Sequence, residues 1–233
     1  MKTINIGWLL FLIIAGIGGC KTIRFEYPNA GCSVTKYDVT NDYRIFVNPM
    51  DDRRQDKTSD EGWSMLAELP IVPYVSFHNY DMQGFNADVG EYDFRPVDEV
   101  LDACITHINL SGIARARRSA NQSSKRLNVR EFVLNIKLHK IGIAGKRTCY
   151  CLGWIPGSYI HFFGAPMTYA DSFLDLEFEL RDLSDRVVFQ KRYAERQDYT
   201  VSMYKNWNNL KFVGFNLNRI MNRFCAEVQD VLE

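Results

Sequence analysis

The sequence predicts an α/β (α+β) protein: a two-layer sandwich in which a mixed, mostly antiparallel sheet carries helices on one face, after a short amino-terminal leader. Three observations point there. Leu174, Leu176, Phe178 and Leu180 alternate with Asp175, Glu177, Glu179 and Arg181, the pattern of a strand with one dry and one wet face. Two segments, 97–108 and 210–231, repeat their apolar residues every three or four positions instead, as amphipathic helices do. The polar turn Leu183-Ser184-Asp185 joins two strand segments and predicts an antiparallel hairpin.

The chain begins with Lys2 and an apolar run from Ile4 to Ile17, closed by Gly18-Gly19-Cys20 before polar sequence starts at Lys21. A basic start, a short apolar stretch and small residues before a break have the form of a secretory signal peptide. The run is shorter than the roughly 20 residues of a spanning helix and ends among glycines. With cysteine directly after Gly19, the segment resembles a bacterial lipoprotein signal, cut between Gly19 and Cys20, with Cys20 lipidated. That resemblance implies a membrane partner held through acyl chains on Cys20, palmitate among them. Each buried CH₂ contributes about 0.8 kcal/mol, and several chains hold firmly where one does not. Lys21 stands where an Asp often retains such proteins in the inner membrane, which implies the outer membrane, facing the periplasm. The expected divisions are a cleaved leader, 1–19; a lipid anchor and tether, 20–41, able to lift the domain off a membrane; and a single domain, 42–233.

Without residues 1–19, whose only charge is Lys2, the chain has 27 basic and 28 acidic side chains. That balance gives no long-range attraction for nucleic acid. The clusters Arg115, Arg117, Arg118 and Lys125, Arg126, Arg130 read as solvated loops. Beyond Cys20 five cysteines remain, Cys32, Cys104, Cys149, Cys151 and Cys225, so at least one is free or pairs between chains. Cys149-Tyr150-Cys151 lacks the spacing of a zinc knuckle, and no metal or cofactor is expected. Cys104 and Cys225 fall on apolar helix stripes, where a thiol behaves as a small hydrophobe.

Taken in order, Ile23 to Tyr27 reads as a short strand in the tether. Tyr43, Ile45 and Val47 alternate as a first strand of the domain, ended by Asn48-Pro49 and a charged loop from Asp51 to Glu61. Pro70 and Pro73 favour extended backbone over 69–74, and a Gly- and Asp-rich stretch follows to Phe94. From Pro96, a residue suited to a first helical turn, Val97, Val100, Leu101, Cys104, Ile105 and Ile108 mark a helix that stops near Ser111-Gly112. Residues 119–125 form a polar turn. Phe132, Leu134, Ile136 and Leu138 share one face of the next strand, Leu174 to Leu180 of another, and Val187, Phe189 and Tyr193 of a third. Leu210, Val213, Leu217, Ile220, Phe224, Val228 and Val231 then trace a final helix of about 25 residues.

This order of elements is similar to the α/β domain of the TolB amino-terminal, LpoB and CsgG-like proteins. Residues 43–53 resemble their first strand and the Asp-x-Arg-like loop that ends it, although Asp51 to Arg54 also reads as an exposed salt-bridged turn. Residues 111–116 resemble their passage from helix to second strand. The resemblance spans 43–232 as pattern and order, and transfers no catalytic residue. It implies a non-enzymatic envelope role with a protein partner, such as a synthase, a secretion pore or another lipoprotein.

Residues 148–170 contain no Asp, Glu, Lys or Arg, but include Trp154, Ile155, Tyr159, Phe162, Phe163 and Met167. Gly153, Pro156, Gly157, Gly164 and Pro166 defeat a spanning helix, and the absence of strand alternation disfavours a spanning hairpin. Three readings stay open: a cover over the core, insertion at a membrane interface, or a docking patch for a protein. For catalysis, His78, His107, His139 and His161 are scattered, and no nucleophile elbow, phosphate loop or dinucleotide fingerprint occurs. The expectation is therefore no enzyme and no catalytic residues, but an anchored envelope lipoprotein serving as an assembly or protein-interaction module. The alternative is a lipid- or small-ligand-binding lipoprotein with 152–169 as lid.

Overall fold

The structure, a computed structural model, describes residues 22–37, 43–60, 74–80, 84–86, 90–119, 130–148, 166–202 and 208–232. Gly19, Cys20, Cys149, Cys151, Trp154, Ile155, Tyr159, Phe162 and Phe163 lie outside the described residues, as does most of the polar turn 119–125. In chain order come β1 (Thr22–Arg24), β2 (Tyr43–Val47), β3 (Asp51–Asp52), β4 (Ser59–Asp60), β5 (Tyr74–Asn79), β6 (Gly84–Asn86) and β7 (Gly90–Asp93). Then follow α1 (Pro96–Ser111), β8 (Arg115–Arg118), β9 (Arg130–Thr148), β10 (Pro166–Asp182), β11 (Val187–Ser202) and α2 (Leu210–Leu232).

The main sheet is a meander of three long antiparallel strands, β11-β10-β9, extended by β2 and then β8, both parallel to the start of β9. β3 lies beside the middle of β9, with Asp51 opposite Lys137, and β5 runs antiparallel to its last third, from Tyr74 opposite Thr148 to Asn79 opposite Ile143. β1, β7 and β6 make a separate three-stranded sheet. The fold class is as the sequence predicts: among the described residues, a large, mostly antiparallel sheet with two helices and no closed barrel.

The core forms because each element has one apolar face. Leu134, Ile136 and Leu138 of β9 and Leu174, Leu176, Phe178 and Leu180 of β10 share it with Val100, Leu101, Cys104 and Ile108 of α1 and Val213, Leu217, Ile220, Phe224 and Val228 of α2. Every one of these is at most 3% exposed, and burying each large apolar side chain contributes roughly 1.5–3 kcal/mol. Pro96 begins α1, and Gly112 ends it in the left-handed conformation at φ 76°, a position few other residues tolerate. In α2 the expected stripe is buried except for Val231, which is 43% exposed, while Leu232 takes its place inside.

β9 runs to Thr148, well past Leu138, where the sequence expectation ends. Asp175 pairs with Lys140 but Leu176 with Leu138, so His139 is an extra residue, a β-bulge. The inward set therefore switches from even to odd numbers, continuing with Ile141 and Ile143. A strict alternation test loses the strand at that switch.

Two expectations are corrected. Residues 22–37 are not a free tether: β1 pairs with β7, and Phe25, Tyr27 and Tyr37 pack on the core. Asn29 donates to the Lys211 carbonyl, the Ser33 carbonyl accepts from Asn218 and Asn222, and the Tyr37 amide donates to the Ser111 carbonyl. The polar groups of the segment are thus bonded to α1 and α2, in part through Asn218 and Asn222. Arg115, Arg117 and Arg118, expected in a solvated loop, lie in β8, an outer strand of the sheet; charged side chains on such a strand discourage further pairing. Among the described residues no helix is long and apolar enough to cross a membrane.

Candidate functional site

The face of β9, β10 and β11 opposite the core is a charged lattice. On β10 the outward residues Asp175, Glu177 and Glu179 are acidic, and Glu177 stands between basic residues on both neighbours. Glu177 lies opposite Lys137 on β9 and Arg192 on β11. Its carboxylate accepts from Lys137 Nζ at 2.8 Å and Gln190 Nε2 at 2.8 Å, and meets His139 Nε2 at 2.9 Å. Lys137, Gln190 and His139 together hold the Glu177 carboxyl down at about 2. Glu179 accepts from Arg181 at 2.5 Å and Asn135 at 3.3 Å, which lowers its pKa too. Arg192 grips Asp175 through two bonds, of 2.8 and 2.6 Å. The side chains of Lys137, His139, Glu177 and Glu179 are only 10–19% exposed, because each lies flat against its neighbours.

Beside this lattice is a hollow of about 330 Å³, with Arg53, Tyr80, His139, Lys140 and Arg192 on its walls. Lys140 Nζ sits 4.6 Å from the Phe173 ring centre and 5.6 Å from that of Tyr80, within cation–π range. Arg54 binds Asp52 at 2.8 and 2.9 Å and Lys57 adds a third contact at 2.8 Å, so the Asp52 carboxyl falls well below the usual carboxylate range. The segment from Asp51 to Arg54 is thus salt-bridged, as one of its sequence readings has it, with Asp51 and Asp52 in a strand rather than a loop. A larger concavity, of about 680 Å³, opens where β5, β9, β10 and β11 meet, with Phe77, His78, Tyr169 and Tyr199 on its walls.

Chemically, the lattice is a set of fixed charges of both signs held by mutual ion pairs. Glu177 and Glu179 are held ionised far below neutral pH, so neither is placed to act as a general acid there. Among the described residues no group of three or more His, Cys, Asp or Glu side chains gathers as metal ligands.

A second cluster is buried between the helices. Tyr27, Cys104, His107, Asn218 and Cys225 are gathered where residues 22–37 cross α1 and α2. Burial pushes the Cys225 thiol up to about 12 and Cys104 higher still, so these thiols are not nucleophiles. The sequence stripe marks both cysteines as buried. His107 escaped it, although its place three residues after Cys104 puts it on the same helix face.

Of Trp154, Ile155, Tyr159, Phe162, Phe163 and Met167, the six candidates of the uncharged stretch, Met167 is the one whose backbone is described, in β10 beside the irregular pairing of Pro166 and Thr168. The uncharged stretch 148–170 divides into the end of β9, the connection 149–165 and the start of β10. Sequence reasoning missed the charged lattice. Its signal is the run of outward acids on β10, which needs basic strands on both sides.

No family model matches the chain, and no curated protein matches it. Solved structures give weak likenesses. One is a Xanthomonas campestris protein of the DUF330 family, with 9% identity and a TM-score of 0.45, covering 91% of this chain and 95% of that one. Another is a minor lipoprotein from Acinetobacter baumannii, with 9% identity and a TM-score of 0.34 over 59% of this chain and 87% of that one. A third, an uncharacterised protein, has 11% identity and a TM-score of 0.33 over 85% and 99%. These likenesses assign neither a family nor an activity to the chain, and the resemblance of residues 43–53 and 111–116 to TolB, LpoB and CsgG-like proteins rests on sequence pattern alone.

Proposed function

We propose that the protein is an envelope lipoprotein, anchored through acyl chains on Cys20 in the outer membrane and facing the periplasm, whose domain is a non-enzymatic protein-interaction or assembly module. The sequence Gly18-Gly19-Cys20 after its apolar run supports the anchor. The observation that carries the interaction reading is the lattice on β9, β10 and β11. Pairs with an exposed cation, such as Arg192 with Asp175, contribute about 0–1 kcal/mol each, and in the nearly covered Lys137–Glu177 pair desolvation offsets the Coulomb gain, so the fold gains little from ordering them. A flat field of fixed, alternating charge gives a partner register and specificity instead.

Two measurements test this. Cys20→Ala is expected to lose fatty-acid label and release the protein from membranes; a variant that labels and fractionates like the parent sinks the anchor. A photo-crosslinking side chain at Ala194, exposed on the outward face of β11, is expected to capture a protein in intact cells. Capture of nothing there, with capture of lipid from Phe162, removes the interaction reading. The alternative, a ligand-binding lipoprotein, has the concavity of about 680 Å³ in its favour, a size within the range of small-molecule sites.

A further inference from the structure

We infer that the domain stands on the bilayer by one defined end, with no spacer, and that this end is formed by the entry of β1, the first turn of α2, the last residues of β9 and β11 and the first residues of β10. The inference rests on acylation of Cys20. It starts from chain length. Only Lys21 separates Cys20 from Thr22, the first residue of β1, and two residues reach at most about 7 Å. Because residues 22–37 are bound into the fold, an acylated Cys20 draws the domain itself down to the headgroups.

Contacts identify the end that is drawn down. Ile23 of β1 pairs with Tyr92 of β7. Asn209, at the start of α2, donates to the Tyr92 hydroxyl at 3.2 Å. One turn on, Phe212 stacks on Tyr199 of β11, with ring centres 4.0 Å apart. Tyr199 pairs with Ala170, and Ser202 with Pro166, where β10 begins. Thr168 pairs with Arg147, one residue before β9 ends. The anchor and these strand ends are therefore neighbours. The connection 149–165, which has no Asp, Glu, Lys or Arg, departs from Thr148 and returns at Pro166, at this same end.

Standing is favoured over lying flat by what the other faces carry. The outer face of the sheet is the ion-pair lattice, and pressing it into a low-dielectric layer strips the remaining water from its charges, which is unfavourable. The helix side is crossed by residues 22–37 and carries Lys191, Glu195, Arg219, Arg223 and Glu227 in ion pairs. The anchored end carries both Lys146 and Asp198, so charge does not select it; the one-residue link does. β10, 17 residues long, extends roughly 55 Å at 3.3 Å per residue. Leu183, 63% exposed in the turn beyond it, is thereby held far above the lipid.

The test uses the full chain, acylated in cells and checked by fatty-acid label, in vesicles of phosphatidylethanolamine and phosphatidylglycerol. A benzophenone side chain replaces Tyr169, Ser202 or Leu183 in turn. Lipid adducts are expected at Tyr169 or Ser202 and none at Leu183. A Gly-Ser linker of about ten residues inserted after Lys21, with a mean reach of about 18 Å, is expected to abolish the adducts while the fatty-acid label persists. Adducts at Leu183, adducts at none of the three, or adducts indifferent to the linker overturn the standing orientation and leave acylation intact. Absence of fatty-acid label on the unmodified chain overturns the anchor, and the orientation with it.

Discussion

The Tyr27 hydroxyl oxygen and Nδ1 of His107 lie 2.5 Å apart, which ties the entering segment to α1 across 80 residues of sequence. The same hydroxyl donates to Asn218 Oδ1 of α2 at 3.3 Å. Assigning the hydroxyl proton to the bond with Asn218 makes Nδ1–H the donor to Tyr27, and in that tautomer the neutral ring carries no proton on Nε2. Nε2 is buried and without a hydrogen-bond partner among the described residues. A proton added there would charge a buried ring, with the Asn222 side chain the one group that offsets the lost hydration.

That geometry predicts an acid-sensitive fold. Burial lowers the His107 pKa from 6.5 to about 4, against an opposing contribution from Asn222. The unfolded chain takes up its proton as pH falls below 6.5, and the folded chain only near 4. Stability from the neutral ring is thus complete above 6.5 and lost on the way down to about 4, by roughly 3 kcal/mol. Urea unfolding of the parent and of His107→Gln, at neutral pH and just above the folded pKa, checks this. The parent is expected to lose more stability on acidification than the variant, and parallel losses would exclude His107 as the cause.

The thiols should divide by burial. Burial raises the pKa of all three thiols, but Cys104 and Cys225 are fully buried whereas Cys32 is partly exposed, so access divides them. Maleimide under native conditions near neutral pH is expected to modify Cys32 and spare the other two, which react once urea unfolds the chain. Peptide mapping reads this directly, and native labelling of Cys225 would contradict the packing of α2.

Phe224 and Val231 sit on one stripe of the sequence but not in one environment. Phe224 stacks on Phe178 with ring centres 4.5 Å apart and meets Phe189 edge-on at 5.8 Å. Phe224→Ala is expected to cost about 3–5 kcal/mol, as other core Phe deletions do. Val231→Ala, at a side chain 43% exposed, should stay within about 0.5 kcal/mol. Denaturation midpoints separate the two, and similar shifts would mean that α2 is rotated.

What was legible in the sequence follows from the same physics. α1, β10, β11 and α2 each have a dry face and a wet face, and their periods of 2 and 3.6 show it; β2 was legible from Tyr43, Ile45 and Val47, although Phe46 on its other face is also covered, under Arg117. β9 was legible only to Leu138, since the bulge at His139 moves its inward residues from even to odd. Residues 22–37 read as tether because Asn29 and Ser33 look solvated, and only the fold brings Lys211, Asn218 and Asn222 to bond them. Lys137, Glu177 and Arg192 are each unremarkable alone. They become a lattice only when register sets them side by side, and register is a long-range property that local periods do not carry.

Beyond the bulge, β9 has no room for a side chain at Gly142. Gly142, three residues beyond His139, has φ 155°, and a Cβ there would come within 2.7 Å of the Asn79 carbonyl oxygen and 2.9 Å of Phe173 Cζ. The Phe173 ring can turn aside. The Asn79 oxygen cannot, because it belongs to the backbone of β5, held against β9 by the pairing of Asn79 with Ile143. Gly142→Ala must therefore strain β9 or push β5 away, at a cost of about 1–3 kcal/mol from overpacking with backbone strain added. Hydrogen exchange distinguishes the routes. Displacement of β5 should lower protection at Phe77 and Asn79 while amides of the β10–β11 hairpin near Leu180 keep theirs, because that end of the sheet is paired independently of β5. An unchanged midpoint together with unchanged protection would mean that the close approach of β5 to Gly142 does not exist in solution.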